Sequence, residues 1–370
     1  MDYKISMIIP VYNVEKFLHK SFDSLKRQTI GFENLQIIFA DDCSTDKSWE
    51  IIREFSGSYT NVESVRLPQN SGAAGAPRNA AMELAKAKYF ICFDPDDELP
   101  DDACKLLYDA IEQMDVDFAF GYHSEVDSDG AVLCEKPASY NGFDEKEYKF
   151  PDDIELMLKV PLNSTVIRKT ALFNEKKMSY PVGIPLQDFV VHLHYLLESK
   201  CAVYIGKHIL IYTIHPNSMS FSHSKKYFLG VNQAVKCCYE LFEKYEKMKH
   251  FDEFARSILS HYFTNKMFVS MLTDGDIQEI YKVCAWLWNY CAVADEYGSN
   301  CAVIMGAVFS SDRRLAVYKS LREIVLYELE LVNGNTWLSK EIEHRDIQIR
   351  DMGKLLSKYS VRVALKLFGR

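Results

Sequence analysis

The sequence predicts an α/β fold, a mostly parallel sheet with helices on both faces, followed by an α-helical region and an amphipathic tail helix. Two observations predict it. Short apolar runs of strand length alternate with stretches of helical spacing through the first third of the chain, which calls for right-handed crossovers and parallel strands. From Lys225 onward the strand-like runs stop and amphipathic helical patterns take over. The expected division is 1–120 and 121–224 for two parts of the sheet domain, 225–335 for a helical domain and 336–370 for the tail.

Ile5-Ser6-Met7-Ile8-Ile9 reads as the first strand, with Pro10 as its stop and Tyr12 and Asn13 at its carboxyl end. Phe17, Phe22 and Leu25 mark a helix. Leu35 to Ala40 is the second strand and runs into Asp41-Asp42; Cys43-Ser44-Thr45-Asp46 then caps a helix through Trp49, Ile52 and Phe55. Val62 to Leu67 is the third strand. The Gly-rich segment Asn70 to Asn79 leads into a helix carrying Met82 and Leu84. Tyr89 to Phe93 is a fourth, fully apolar strand that runs straight into Asp94-Pro95-Asp96-Asp97-Glu98.

Open α/β sheets bind ligands at the carboxyl ends of their strands, and these ends carry a consistent set of groups. Tyr12 offers a flat ring for a base, Asp42 an acceptor for a base N–H, the Gly-rich segment a close backbone, and Arg78 a fork for phosphate or base oxygens. The crowded acids Asp94, Asp96 and Asp97 repel one another and suit a hard cation shared with a diphosphate. Each residue also has a plain alternative: a packed turn aromatic, a cap, a solvated helix charge, or acids at a helix N-terminus opened by Pro100-Asp101-Asp102. No Gly-x-x-x-x-Gly-Lys-Ser/Thr and no Gly-x-Gly-x-x-Gly after the first strand is present, which argues against P-loop and dinucleotide folds.

Ile8-Ile9-Pro10-Val11-Tyr12-Asn13, Ala40-Asp41-Asp42-Cys43-Ser44-Thr45-Asp46, Asn70-x-Gly72 with Arg78-Asn79, and Asp94-Pro95-Asp96-Asp97 occur in the order and spacing of family 2 glycosyltransferases, and the chain closely resembles that family. The resemblance implies the Rossmann-like GT-A fold and an inverting, Mn²⁺- or Mg²⁺-dependent transfer from a UDP-sugar donor. It implies donor contacts at Pro10, Tyr12, Asp42, Asn70, Gly72, Arg78 and Asp96, and metal contacts at Asp97 and Asp96 with Asp94 in support. Cys43 departs from the family's more frequent Gly and suggests a slightly different turn.

Further on, Phe118 to Tyr122 is a strand, a polar turn follows at Asp127-Ser128-Asp129-Gly130, residues 141–153 read as a mobile loop or lid, and Ser164 to Arg168 as a strand. Phe189, Leu193, Leu196 and Leu197 recur at helical spacing, so Asp188 lies at a helix start. It is either an ordinary N-terminal acid or the general base that direct displacement at a sugar carbon needs. The family pattern there is Glu-Asp before an aromatic, and Gln187-Asp188-Phe189 matches except at Gln187. Tyr204 to Ile214 ends in His215-Pro216-Asn217-Ser218; by resemblance His215 completes the metal–diphosphate site and Ser218 holds phosphate. His192 and His194, two apart on a helix, point to different faces and form no metal pair.

Composition narrows the partners. A net charge of −9 argues against broad nucleic-acid binding. The start reads directly into a strand without a secretory leader, no apolar run approaches membrane-spanning length, and scattered cysteines without Cys-x-x-Cys pairs suit a reducing, cytoplasmic setting. In the tail, Leu338, Ile342, Arg345, Ile349, Met352, Leu356, Tyr359 and Val363 form a heptad seam that suits a homo-oligomer or a helix lying on the body. The basic end Lys354 to Arg370 suits contact with an anionic membrane surface. The expected acceptor is a glycan or polyol phosphate, such as a cell-surface polysaccharide, teichoic acid or lipid-linked glycan. The competing reading is a silent nucleotide-binding scaffold, against which the intact acids argue.

Overall fold

The computed structural model describes residues 2–150, 152–154, 165–215 and 225–250. Nine strands of these residues form one mixed sheet. β1 (Ile5–Val11), β2 (Leu35–Asp41), β3 (Val62–Arg66) and β4 (Tyr89–Cys92) are mutually parallel, in the order β3-β2-β1-β4. The sheet continues through β8 (Val166–Lys169), β5 (Phe118–Asp127), β9 (Cys201–Ile214) and β7 (Glu147–Lys149), with β6 (Val132–Cys134) hairpinned onto β5. β8 is antiparallel to both its neighbours, whereas β5 and β9 are parallel to each other. The expected strand over 164–168 is therefore β8, the one reversed strand in the middle of the sheet.

The burial of each strand follows its place. β1 and β2 sit between other strands with helices over the sheet and are buried at every residue. β3 lies at the edge and is buried only at its start. Helices α1 (Leu18–Lys26), α2 (Ser48–Ser58), α3 (Gly75–Leu84) and α4 (Ala103–Met114) fill the crossovers. Apolar residues at helical spacing, such as Ala103, Cys104, Leu107 and Ile111 of α4, face the sheet. Phe22 and Phe55 stack with centroids 3.8 Å apart and tie α1 to α2.

Pro10 does not end β1. The strand runs on to Val11, with Pro10 paired to Ala40. Ile8 bonds toward β4 through its carbonyl and Val11 toward β2, so alternation turns the missing N–H of Pro10 to the β4 side. The β1–β4 pairing ends at Ile8 and Cys92, so that side asks for no further ladder bond.

Residues 141–153 are not a free lid. β7 pairs with the first residues of β9, and Tyr140, Phe143 and Tyr148 are buried. Phe143 packs against Phe120 and Tyr204 at 5.4 and 5.5 Å between centroids. The aromatics that made the segment look like a lid are what anchor it.

Beyond the level of β4, β5 and β9 continue as a paired ribbon, with β6 on the other edge of β5, after a register shift at Gly121 and Tyr122. The ribbon crosses the exit of β4, where Ile211 and Glu98 exchange backbone hydrogen bonds of 2.9 and 3.1 Å. Helices α5 (Thr170–Glu175), α6 (Gln187–Glu198) and α7 (Lys225–Lys244) follow, and α7 packs on α6. The compact unit holding the sheet runs to Phe251, so the expected boundary at 225 falls inside it. Ser218, the remainder of the expected helical domain, the heptad seam and the basic tail lie outside the described residues.

The first turn of α3 touches the loop ahead of α6: a Cβ on Gly75 would lie 2.1 Å from the Pro181 carbonyl oxygen. Since that neighbour is backbone, Gly75→Ala forces one segment to move. It is expected to cost about 1–3 kcal/mol in urea unfolding of the full chain.

Candidate active site

The carboxyl ends of β1, β2 and β4 open on one edge of the sheet. After β1, the Tyr12 ring is 46% exposed. The next turn is laced to the one after β2: Asn13 accepts from the Thr45 N–H at 2.8 Å, Ser44 and Ser48 hydroxyls accept from the N–H groups of Asn13 and Val14, and Asp46 accepts from Glu15. This stitching fixes the turn that directly follows the open tyrosine.

Asp41 and Asp42 divide the work at the end of β2. Asp41 is fully buried, paired with Arg66 at 3.1 Å and accepting from the Ser44 N–H. Asp42 faces the loop after β3, where its two oxygens accept from the Ser71 N–H and hydroxyl, both at 2.9 Å. Burial raises its pKa, and the Ser71 bonds oppose that rise. Asn70 donates to the Asp42 carbonyl and accepts from the Gly72 N–H, and Gly72 sits at φ +86°, which favours glycine. Asn70 and Gly72 thus shape the loop that fixes Asp42.

The acidic turn after β4 gives each carboxylate its own partner. Asp94 accepts from an Arg78 amino group at 2.6 Å. Asp96 meets His215 Nε2 at 2.9 Å, and the His215 ring stacks on Phe17 at 5.0 Å. Asp97 is 2% exposed and accepts from the Thr213 N–H of β9 at 2.9 Å. Burial holds the Asp97 carboxyl well above the usual range, and the charges of Asp96 and Asp94 add to the effect. Glu98 pairs with Lys20 and Asp101 with Arg27, so these two acids are structural.

Arg78, expected as a fork for ligand oxygens, is 2% exposed and committed inside the protein. One amino group binds Asp94 and the other donates to Gln187 Oε1 at 2.8 Å, with the guanidinium 5.7 Å from the Tyr180 ring centroid. Burial works against its charge, but Asp94 and Asp188 outweigh burial and its pKa rises. Gln187 opens α6, Leu186 before it turns sharply at φ +56°, and Asp188 lies in the first helical turn, within the electrostatic reach of Arg78 and Asp94. The acidic turn and the helix start that carries Asp188, 94 residues apart at Asp94 and Asp188, are therefore linked through the side chains of Arg78 and Gln187.

Residues 6–171 match the family described as glycosyl transferase family 2. The glycosyltransferase GlyG of Streptococcus pneumoniae is 32% identical over 57% of this chain and 71% of its own length. The chain belongs to glycosyl transferase family 2. A poly(ribitol-phosphate) beta-glucosyltransferase of Bacillus spizizenii is 32% identical over 53% of this chain; the chain spans only 30% of that protein. The fold is that of S. aureus TarS 1–349 solved with UDP-GlcNAc, with a TM-score of 0.64 at 18% identity over 87% of this chain and 90% of that one.

Sequence reasoning gave no site role to Phe17, Ser71, Tyr180 or the Thr213 backbone, which here contact His215, Asp42, Arg78 and Asp97; Phe17 and Ser71 lay in stretches the sequence singled out, while Tyr180 and Thr213 arrive from distant segments. His192 and His194 do diverge, the first meeting Arg168 at 3.3 Å and the second Tyr245 at 3.0 Å.

Cys43 takes φ +61°, the left-handed conformation that glycine adopts freely. The turn is thus of the kind glycine would make, and the cysteine side chain is strained in it. Cys43→Gly is expected to stabilise the protein by up to about 1 kcal/mol, read as a higher urea midpoint at unchanged slope.

Proposed function

We propose that this protein transfers a sugar, with inversion, from a UDP-sugar to a hydroxyl of a cell-surface glycan, teichoic acid or lipid-linked glycan. The observation that carries the reading is the Arg78 link between Asp94 and the helix start that bears Asp188. It puts a carboxylate beside a strand-end acidic turn of the type that holds a nucleotide diphosphate. Family membership supports the reaction class, and the poly(ribitol-phosphate) relative supports a polyol-phosphate acceptor.

Each residue then has one task. Tyr12 stacks on the uracil, and Asp42, oriented by Ser71, accepts from its N–H. Asp96 and His215 offer an oxygen and a nitrogen side by side, and the crowded acids around Asp97 would be relieved by positive charge. These residues would suit Mn²⁺ or Mg²⁺, which Asp96 and His215 would hold with Asp97 behind them. Among the described residues no group of three or more His, Cys, Asp or Glu side chains is placed to hold an ion by itself. When bound, the ion supplies countercharge for the diphosphate. Asp188 takes the proton of the acceptor hydroxyl while that oxygen bonds C1 and the C1–diphosphate bond breaks, its electron pair departing on UDP.

The test is UDP release from a panel of UDP-sugars, with water as the surrogate acceptor, in Mn²⁺, in Mg²⁺ and in EDTA. Release confined to Mn²⁺ or Mg²⁺ and to one or two sugars is expected; no UDP binding and no release in any condition would sink the proposal. Asp188→Asn should lower the rate by about 10²–10⁴-fold while UDP affinity, read by calorimetry, stays unchanged. Asp96→Asn and His215→Ala should each raise the Mn²⁺ concentration needed for half-maximal rate, whereas unchanged Mn²⁺ titrations would remove these two from the metal site.

A further inference from the structure

We propose that Arg78 is a positioning residue for Asp188, acting through the neutral amide of Gln187; the inference rests on the reading of Asp188 as the base. The first turns of α3 grip the segment that delivers Asp188 at three points. Gly75 lies against the Pro181 carbonyl. Asn79 clamps the Tyr180 backbone in both directions, donating to its carbonyl and accepting from its N–H, each at 2.8 Å. Arg78 holds Gln187, the residue immediately before Asp188, at 2.8 Å, and anchors the same guanidinium to Asp94 at 2.6 Å. The Arg78-Asn79 pair is thus a jig for residues 180–188 rather than a pair of ligand contacts.

Stability does not account for this arrangement. A buried ion pair contributes little net stability, and Arg78 Nε is buried without a hydrogen-bond partner among the described residues, which is costly. Position does account for it, because a small displacement of a reacting group is expensive in rate. The identity of residue 187 follows from the charge count. The carboxylates that act most strongly on Arg78 are Asp94 and Asp188, followed by Cys92 and Tyr180. A glutamate at 187 would add a third carboxylate around one cation and place it beside Asp188. The amide keeps the hydrogen bond without the charge. Since a guanidinium only donates, Gln187 must turn Oε1 to Arg78, which fixes the side chain in one orientation.

The experiment compares Gln187→Ala, Gln187→Glu, Arg78→Lys and Asp188→Asn in the full chain, using UDP release from UDP-glucose and UDP-GlcNAc, UDP calorimetry and thermal unfolding. Gln187→Ala should slow release by about 10–100-fold with UDP affinity within about twofold of the parent. Arg78→Lys keeps the charge but loses the fork, and should show the same split between rate and affinity. Gln187→Glu retains the bond to Arg78, so release is rescued above Gln187→Ala. Its added charge disfavours ionised Asp188, so the acid limb of the pH–rate profile moves to higher pH. Parental rates in Gln187→Ala with an unmoved limb in Gln187→Glu would overturn the proposal. So would UDP affinity falling in step with rate, which would mark a nucleotide-pocket role. If Gln187→Ala does not fold, the near-isosteric Gln187→Glu decides through its acid limb. An active Asp188→Asn removes the base reading itself; an inactive Asp188→Asn beside a fully active Gln187→Ala removes only the jig.

Discussion

Three carboxylates gathered within four residues at the exit of one strand cannot all stay charged without outside help. Asp94 receives its partner from α3, Arg78, while Asp96 and Asp97 receive theirs from the end of β9, His215 and the Thr213 N–H. That distribution ties the architecture together. It requires the β5–β9 ribbon to overrun the sheet and bend across the acidic turn, and it requires α3 to start close enough for a buried guanidinium to reach β4. The bridge between Glu98 and Ile211 shows the ribbon seated by backbone bonds before side chains take part.

The first half of the fold was legible because parallel strands buried on both faces leave continuous apolar runs, and their ends leave polar residues with nowhere else to go. The second half was harder for a physical reason. β7 is three residues long and held by sheet-edge pairing and by the packing of Tyr140, Phe143 and Tyr148, so its sequence looks like an acidic loop. Pro10 misled for the converse reason: proline reads as a stop until the neighbouring strand is seen to end at Cys92.

The site was legible as residue types and less so as roles. Tyr12 lies open at the end of β1, and His215, which the resemblance put beside the acidic turn, meets Asp96 at 2.9 Å. Arg78 is the exception, since the sequence offers a charged fork at a helix start and gives no sign that Asp94 and Gln187 will consume it. Burial separates the two uses of an arginine, and burial of a polar residue is decided by segments far away in the chain. Cys43 shows the same limit at the backbone: the substitution looked like a change of turn, and the φ of +61° shows a turn retained under strain.

The departures from the family pattern at Cys43 and Gln187 differ in kind. Cys43 alters only a local backbone energy, because its turn is closed by bonds among Asn13, Ser44 and Thr45 that do not involve its side chain. Gln187 sits where hydrogen bonding and charge meet. An amide and a carboxylate are nearly the same shape and both accept from Arg78, so packing is indifferent to the exchange while the electrostatics are not. With the amide, Asp94 and Asp188 are the carboxylates that weigh most on the buried guanidinium, with Cys92 and Tyr180 after them.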